Sequence, residues 1–556
     1  VCLVGVLFTL AIAAEEPGYR PGYFDLVTQA QAKSQAGAWT EAAALWEKVA
    51  QMNPVRGNNW QELARARKQA RDYRKAIAAY TQAVELGYQT PFMAADIARC
   101  HAMLGDKEHA LEWLDRALAL RFADLELLQT DPELASLSDD PSFRKLVGLP
   151  DTSKMSREQG WAYDLELLRR EVDRKGYSPY RTVSKDAFES AVKKVQDSVA
   201  KLTDIQLILE AMKLMRAVGD GHSAVWITAN RPEFRTALPV VFYLFAEGVF
   251  IVSADAKHAD LLGAQVLSFG DQDTGAVLRA LDALIPRDNE VGTLVTAAAM
   301  LRHPVLLHGL GLIPEAQSVP LTLRAMDGSA RTVRLTTDSP DLRVRNVLPQ
   351  GWVFLPERLE PPVPLYVKDR ARPYWFEHLP ASRTVYFQWN LVRDDPAESL
   401  AAFSTRLHAF IRDHDVDKLV IDLRWNNGGN TLLVLPLLHE LIASDLNRRG
   451  KLFVIVGRRT FSAAQNAATL IERHTQAIFV GEPTGSSPNF VGEEDPVTLP
   501  YSKLQINVSD LFWQSSWPYD SRTWIGPEIY VPLTFAAFRA NRDPALEAIL
   551  EYPAEP

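Results

Sequence analysis

At 556 residues the chain is too long for one hydrophobic core, and its length implies two to four domains. Hydrophobic residues make up 47% and charged residues 23%, a balance that excludes intrinsic disorder and a collagen-like chain. Basic residues number 60 against 69 acidic, for a net charge of -9 with no dense Lys/Arg stripe, which argues against nucleic acid as a partner.

Residues 1–14 form an apolar run that ends in Ala11-Ile12-Ala13-Ala14 and meets Glu15-Glu16-Pro17 abruptly. The run reads as the hydrophobic region of a signal peptide truncated at its start, so the mature chain is expected to be exported, to a periplasm or out of the cell. It is shorter than the roughly 20 residues a membrane span needs, and no other stretch is apolar enough for one. Cys2 lies in this removable segment and Cys100 stands alone, so neither a disulfide, a thiol nucleophile nor a Cys-rich zinc site is expected. No cofactor and no metal is expected.

Residues 20–150 read as an all-α repeat domain. Ala42, Ala76 and Ala110 recur at a spacing of 34, as do Trp46, Tyr80 and Leu114. A small residue lets two helices approach, and a large one four positions later fills the same face. The pattern resembles tetratricopeptide repeats, which implies a solenoid of helix pairs. Such an array binds a protein partner or only braces the next domain. Asp131-Pro132 and Asp140-Pro141 mark further helix starts.

Residues 155–230 form a helical lead-in, with Leu207, Leu209, Met212 and Met215 at helical spacing. It breaks at Gly219-Asp220-Gly221-His222-Ser223 before a short strand, which sets His222 at a corner. By itself a His at a corner reads as structural or solvated. Residues 235–345 read as a strand-rich module, with the diverged peptide-binding fold of the PDZ type as one candidate. Residues 337–380, rich in Pro and Arg, read as a long loop or covering segment.

From residue 380 to the end, strands and helices alternate, which predicts a mostly parallel sheet covered by helices. Sites in such sheets form where strand ends turn into helices, and two turns carry unusual residues. The first, Arg424-Trp425-Asn426-Asn427-Gly428-Gly429-Asn430, has paired glycines that allow N–H groups to converge on an anion, and equally suits a plain tight turn. The second, Thr460-Phe461-Ser462-Ala463-Ala464-Gln465, opens a helix. Ser462 suits an N-cap. It also suits a nucleophile, with the N–H of Ala463 free to hold an oxyanion.

Six segments then occur in the order found in one family: Asp220-Gly221-His222-Ser223, Tyr386-Phe387-Gln388-Trp389-Asn390, Asp422 to Gly429, Thr460 to Ala464, Val480-Gly481-Glu482-Pro483-Thr484 and Gly526-Pro527-Glu528. The chain from about 156 to 551 resembles the tail-specific, or C-terminal processing, peptidases of the S41 class. That resemblance implies a ClpP/crotonase-like α/β core, Ser462 as nucleophile, and an oxyanion hole from the N–H groups of Ala463 and Gly428. The best-known members carry a Lys base after the Gly-Glu-x-Thr element, where this chain reads Gly485-Ser486-Ser487-Pro488. Without that Lys, the resemblance points to the tricorn-like branch, with His222 as general base and Asp520 as the preferred acid over Glu482 or Glu493. The expected activity is a serine-type endopeptidase acting on protein or peptide substrates through an acyl-enzyme. The competing reading is a non-catalytic peptide- or ligand-binding protein scaffolded by the repeats.

Overall fold

A computed structural model describes residues 22–553, apart from residues 121, 123, 124, 148–151, 228–230, 338, 341–347 and 494. The segment 1–14, expected to be a signal peptide, lies outside the described residues. The chain divides into two compact units, Val1–Pro150 and Asp151–Pro556.

The first unit is helical. Its helices are α1 (Tyr23–Gln35), α2 (Trp39–Met52), α3 (Gly57–Gln69), α4 (Tyr73–Glu85), α5 (Pro91–Met103) and α6 (Lys107–Ala119), followed by short α7 (Leu125–Thr130) and α8 (Pro141–Val147). The starts of α1, α3 and α5 fall 34 residues apart, and so do those of α2, α4 and α6. The sequence period is therefore a period of the backbone. Ala42, Ala76 and Ala110 are fully buried, and beside them Trp46, Tyr80 and Leu114 fill the layer between helices. The predicted starts after Asp131 and Asp140 hold, since each aspartate accepts a backbone N–H of the turn that follows it.

The second unit opens with α9 (Arg157–Lys175), α10 (Lys185–Ser198) and α11 (Asp204–Val218). Capping boxes at Ser156 and Thr203 start α9 and α11. β1 (Ala224–Trp226) follows. The strand-rich module contains β2 (Val240–Phe245), β3 (Gly248–Asp255), β4 (Gln265–Phe269), β5 (Ser318–Arg324), β6 (Ala330–Thr336) and β7 (Trp352–Phe354). These lie in the order β7-β3-β4-β5-β6, with β2 also paired to β3. Helices α12 (Thr274–Asp282), α13 (Glu290–Met300) and α14 (Pro304–Gly309) fall between β4 and β5.

The α/β core is a six-stranded sheet ordered β8 (Tyr374–Leu379), β9 (Thr384–Trp389), β10 (Lys418–Asp422), β11 (Leu452–Val456), β12 (Ile478–Gly481) and, after the hairpin elements, β17 (Ile529–Tyr530). Between β12 and β17 come β13 (Asn489–Gly492), β14 (Asp495–Thr498), β15 (Gln505–Val508) and β16 (Leu511–Gln514). From β9 onward neighbours in the six-stranded sheet run parallel, whereas β8 is an antiparallel edge. That edge corrects the expectation of a loop up to residue 380. The aromatic run Tyr374-Trp375-Phe376 forms strand despite the Pro- and Arg-rich surroundings.

Strand alternation sends Val385, Phe387, Leu419, Ile421 and Val454 to one face, against α15 (Leu400–Asp413), α16 (Val434–Ala443) and α17 (Ala463–His474). Tyr386, Val420, Phe453, Ile455 and Val480 face α18 (Pro544–Glu551) on the other. Burial on both faces accounts for the near-continuous apolar strands.

Candidate active site

The site lies beyond the carboxyl ends of β10 and β11, where both chains leave the sheet. Arg424, just past β10, is clamped by Asp543, with both contacts at 2.9 Å, and by Asp422 at 2.9 Å. Tyr386 donates to the same Asp422 at 2.6 Å. This buried network fixes the exit of β10. The exit of β11 is a tight turn in which Gly457 N–H donates to Thr460 Oγ1, and Thr460 N–H donates back to the Gly457 carbonyl. Thr460 Oγ1 then donates to the Leu423 carbonyl at 3.0 Å, tying the two exits together.

Ser462 sits at the first residue before α17, where a cap is expected, yet its side chain makes no capping hydrogen bond. Its backbone has φ 54° and ψ -127°, a region costly for a residue with a side chain and tolerated where surrounding structure enforces it. Ser462 therefore does not act as the side-chain cap that its position suggests.

Gly428, at φ 112°, lies against this turn. A Cβ added there would meet Ser462 Cβ at 2.7 Å and Ala463 N at 2.9 Å, so only glycine permits the approach. The structure thus brings together Ser462, Ala463 and Gly428. Ala463 N–H, at the helix start, donates to no acceptor among the described residues. Gly428 N–H instead donates to Asn426 Oδ1 at 3.0 Å. Sequence reading missed Asn426 in this role. It is fully buried, and its carbonyl also accepts Phe461 N–H at 3.3 Å.

His222 is placed by the end of α11. Gly219 closes the helix in the left-handed conformation, and Asp220 Oδ1 then accepts the backbone N–H groups of His222 and Ser223 at 2.9 and 2.6 Å. Ser509 donates to the same oxygen at 2.8 Å, joining the corner to the end of β15. The imidazole lies between two aromatic rings, 4.5 Å from Phe461 and 5.4 Å from Phe490 between centroids, with tilts of 24° and 6°. Both ring nitrogens are buried without a hydrogen-bond partner. Burial lowers the imidazole pKa to about 4, against an opposing pull from Asp220. His222 therefore packs on the residue preceding Ser462, but no hydrogen bond joins the two.

Asp520 is not brought to His222. Arg522 and Ser516 hold its carboxylate and keep its pKa well below the usual range. Of the alternatives, Glu482 pairs with Arg458 at 2.5 Å and Glu493 is exposed. Around the His222 turn lie two carboxyls, the buried Asp220 and the half-buried Asp288. Asp288 accepts Gly221 N–H at 2.8 Å, and burial raises its pKa to about 6. Ser486, in the Gly485-Ser486-Ser487-Pro488 segment, donates to Asp288. Beside Phe461 and Asp288 a cleft of about 440 Å³ opens, lined also by Trp226, Ile227, Arg287 and Asn427.

No protein-family model matches this sequence, and no curated protein matches it. Solved structures do. Mature CPAF complexed with lactacystin superposes with a TM-score of 0.51 at 13% identity, over 70% of this chain and 97% of that one. A serine-to-alanine mutant of CPAF gives 0.50 at 12% identity, over 72% and 99%. The photosystem II D1 C-terminal processing protease matches at a TM-score of 0.35 and 13% identity, over 71% and 97%. The fold, a helical region followed by a sheet-rich domain of the S41 peptidase type, is the one expected from the sequence.

Proposed function

We propose that this chain is an exported serine endopeptidase in which Ser462 attacks the peptide carbonyl and His222 takes its proton. The observation that carries this reading is the strained, uncapped Ser462 beside the free N–H of Ala463 and the close approach of Gly428. The amine leaves with the proton from His222, and water then hydrolyses the acyl-enzyme, using the same imidazole as base. Ala463 N–H stabilises the oxyanion. The N–H of Gly428 joins it once released from Asn426. Proton transfer requires a hydrogen bond between His222 and Ser462, which substrate binding has to bring about. Asp220 stabilises the imidazolium through space, in place of Asp520.

The substrates are protein or peptide chains lying in the cleft beside Phe461. The helix pairs of residues 23–119 serve as tetratricopeptide-type repeats, as a partner surface or a brace. Among the described residues no helix is long and apolar enough to cross a membrane. A fluorophosphonate should label Ser462, and Ser462→Ala should abolish both labelling and peptide cleavage, the latter by several orders of magnitude. Cleavage surviving in that variant would overturn the proposal.

The second reading, a peptide-binding protein without turnover, has one observation behind it: neither ring nitrogen of His222 has a hydrogen-bond partner, Ser462 included. It predicts saturable peptide binding that neither Ser462→Ala nor His222→Ala changes, with no labelling of the wild-type chain.

A further inference from the structure

We infer that His101, Asp106 and His109, at the hairpin between α5 and α6, form a binding site for a first-row divalent metal ion of the zinc type. The three residues come from the last turn of α5, the connection and the first turn of α6. Gly105, at φ 78°, lets the chain reverse tightly, and Asp106 N–H donates to the His101 carbonyl at 3.0 Å, so all three side chains leave the same end of the hairpin. His101 Nδ1 lies 3.1 Å from Asp106 Oδ2, and His109 Nδ1 lies 2.9 Å from that same oxygen. The two imidazoles stack with centroids 5.2 Å apart and a tilt of 23°. One ligand atom from each residue falls within 4.8 Å of the other two.

Tetrahedral ligands held about 2.0–2.1 Å from one zinc ion lie roughly 3.3–3.4 Å apart, a few tenths of an ångström more than the 2.9 and 3.1 Å between the imidazole nitrogens and Asp106 Oδ2. A small outward movement of each side chain admits the ion. Two imidazoles and one carboxylate favour zinc, nickel, cobalt or copper over magnesium and calcium, which require oxygen donors. His109 is about half exposed, with 55% of its side-chain surface accessible, so water can complete the coordination. The frame is rigid, because Ala98, Ala102, Ala110 and Leu114 are buried where α5 meets α6. Asp106 also accepts His109 N–H at 3.4 Å, a weak cap. Capping alone leaves unexplained why two imidazoles converge on one carboxylate. Glu108 and Glu112 add negative potential near His109.

The test uses the full chain stripped with a chelator and titrated with zinc chloride by calorimetry. One ion should bind per chain at micromolar concentration, and zinc, but not magnesium, should raise the melting temperature by several degrees. His101→Gln and His109→Gln should each weaken zinc binding at least tenfold. Asp106→Asn should do the same while preserving the helix, because asparagine caps as well as aspartate. Circular dichroism of the three variants without metal should match wild type. A wild-type chain without saturable zinc binding, or one whose affinity is unchanged in the three variants, would overturn the site.

Discussion

The imidazole of His222 stacks on the ring of Phe461, 4.5 Å between centroids, so the proposed base rests against the residue that precedes the proposed nucleophile. Under the proposed mechanism this stack has to open before His222 can reach Ser462. Phe461→Ala removes the ring that covers one face of the imidazole and lets water reach it. With its burial relieved, the His222 pKa should rise toward its ordinary value, which a pH titration followed by NMR of the ring protons would read.

Burial of His222 also makes stability depend on pH. The folded-state pKa of about 4 lies below the ordinary 6.5, so between these values the unfolded chain binds a proton that the native chain does not. Stability from this group is present above pH 6.5 and is lost as pH falls toward 4, by up to about 3 kcal/mol. Asp288 acts in the opposite sense. Its pKa is raised from 3.8 to about 6, so its contribution is present below 3.8 and lost as pH rises through 6. Urea melts across this range should show His222→Gln losing less stability on acidification than wild type, and Asp288→Asn losing more. Parallel curves for all three chains would contradict the assignment.

The backbone of Ser462 supports a prediction independent of catalysis. A residue with a side chain at φ 54° and ψ -127° costs on the order of 1–3 kcal/mol, and glycine escapes most of that. Ser462→Gly should therefore be more stable than Ser462→Ala by about 1 kcal/mol, although both lack the nucleophile. Calorimetric melts of the two variants decide it.

Much of this arrangement was legible in the sequence because it rests on contiguous residues. The strand, turn and helix around Ser462 are local, so apolar strands, Gly457 and the following alanines place them within a residue or two. The repeat period was legible for the same reason. The surroundings of His222 were not. Phe490, Asp288 and Ser509 reach it from distant segments, and nothing in their own neighbourhoods marks them. Asp520 looked suitable by its position before Gly526-Pro527, but Arg522, two residues on, claims its carboxylate. The aromatic run of Tyr374 to Phe376 was a usable signal for the edge strand that composition concealed.

Gly428→Ala is expected to damage the site more than glycine substitution at an open turn. The added Cβ would press on Ser462 Cβ and Ala463 N at 2.7 and 2.9 Å, and φ 112° would be strained in any case. Displacing the proposed oxyanion donors should lower kcat/KM by about 100- to 1,000-fold, the scale of losing one such donor. Gly328→Ala is the control: φ is 88° there too, but nothing lies within 4 Å of the new Cβ. A similar loss of activity in both would mean that Gly428 has only a folding role.

The last prediction concerns which carboxylate serves His222. Asp520→Asn removes a charge that Arg522 already neutralises, at a position without contact to the imidazole, and should leave kcat/KM within about threefold of wild type while weakening the Arg522 pairing. Asp220→Asn is the informative partner. An asparagine oxygen can accept the same three hydrogen bonds, from His222 N–H, Ser223 N–H and Ser509 Oγ, so the corner is kept while the charge and its 3.8 Å pairing with Arg181 are lost. Because Asp220 pulls the imidazole pKa upward, its neutralisation should lower that pKa further and make His222 a weaker base. Peptide cleavage should fall through kcat, with KM nearly unchanged, and the acid limb of the kcat/KM profile should move to lower pH. A large loss in Asp520→Asn with none in Asp220→Asn would return the acid role to Asp520.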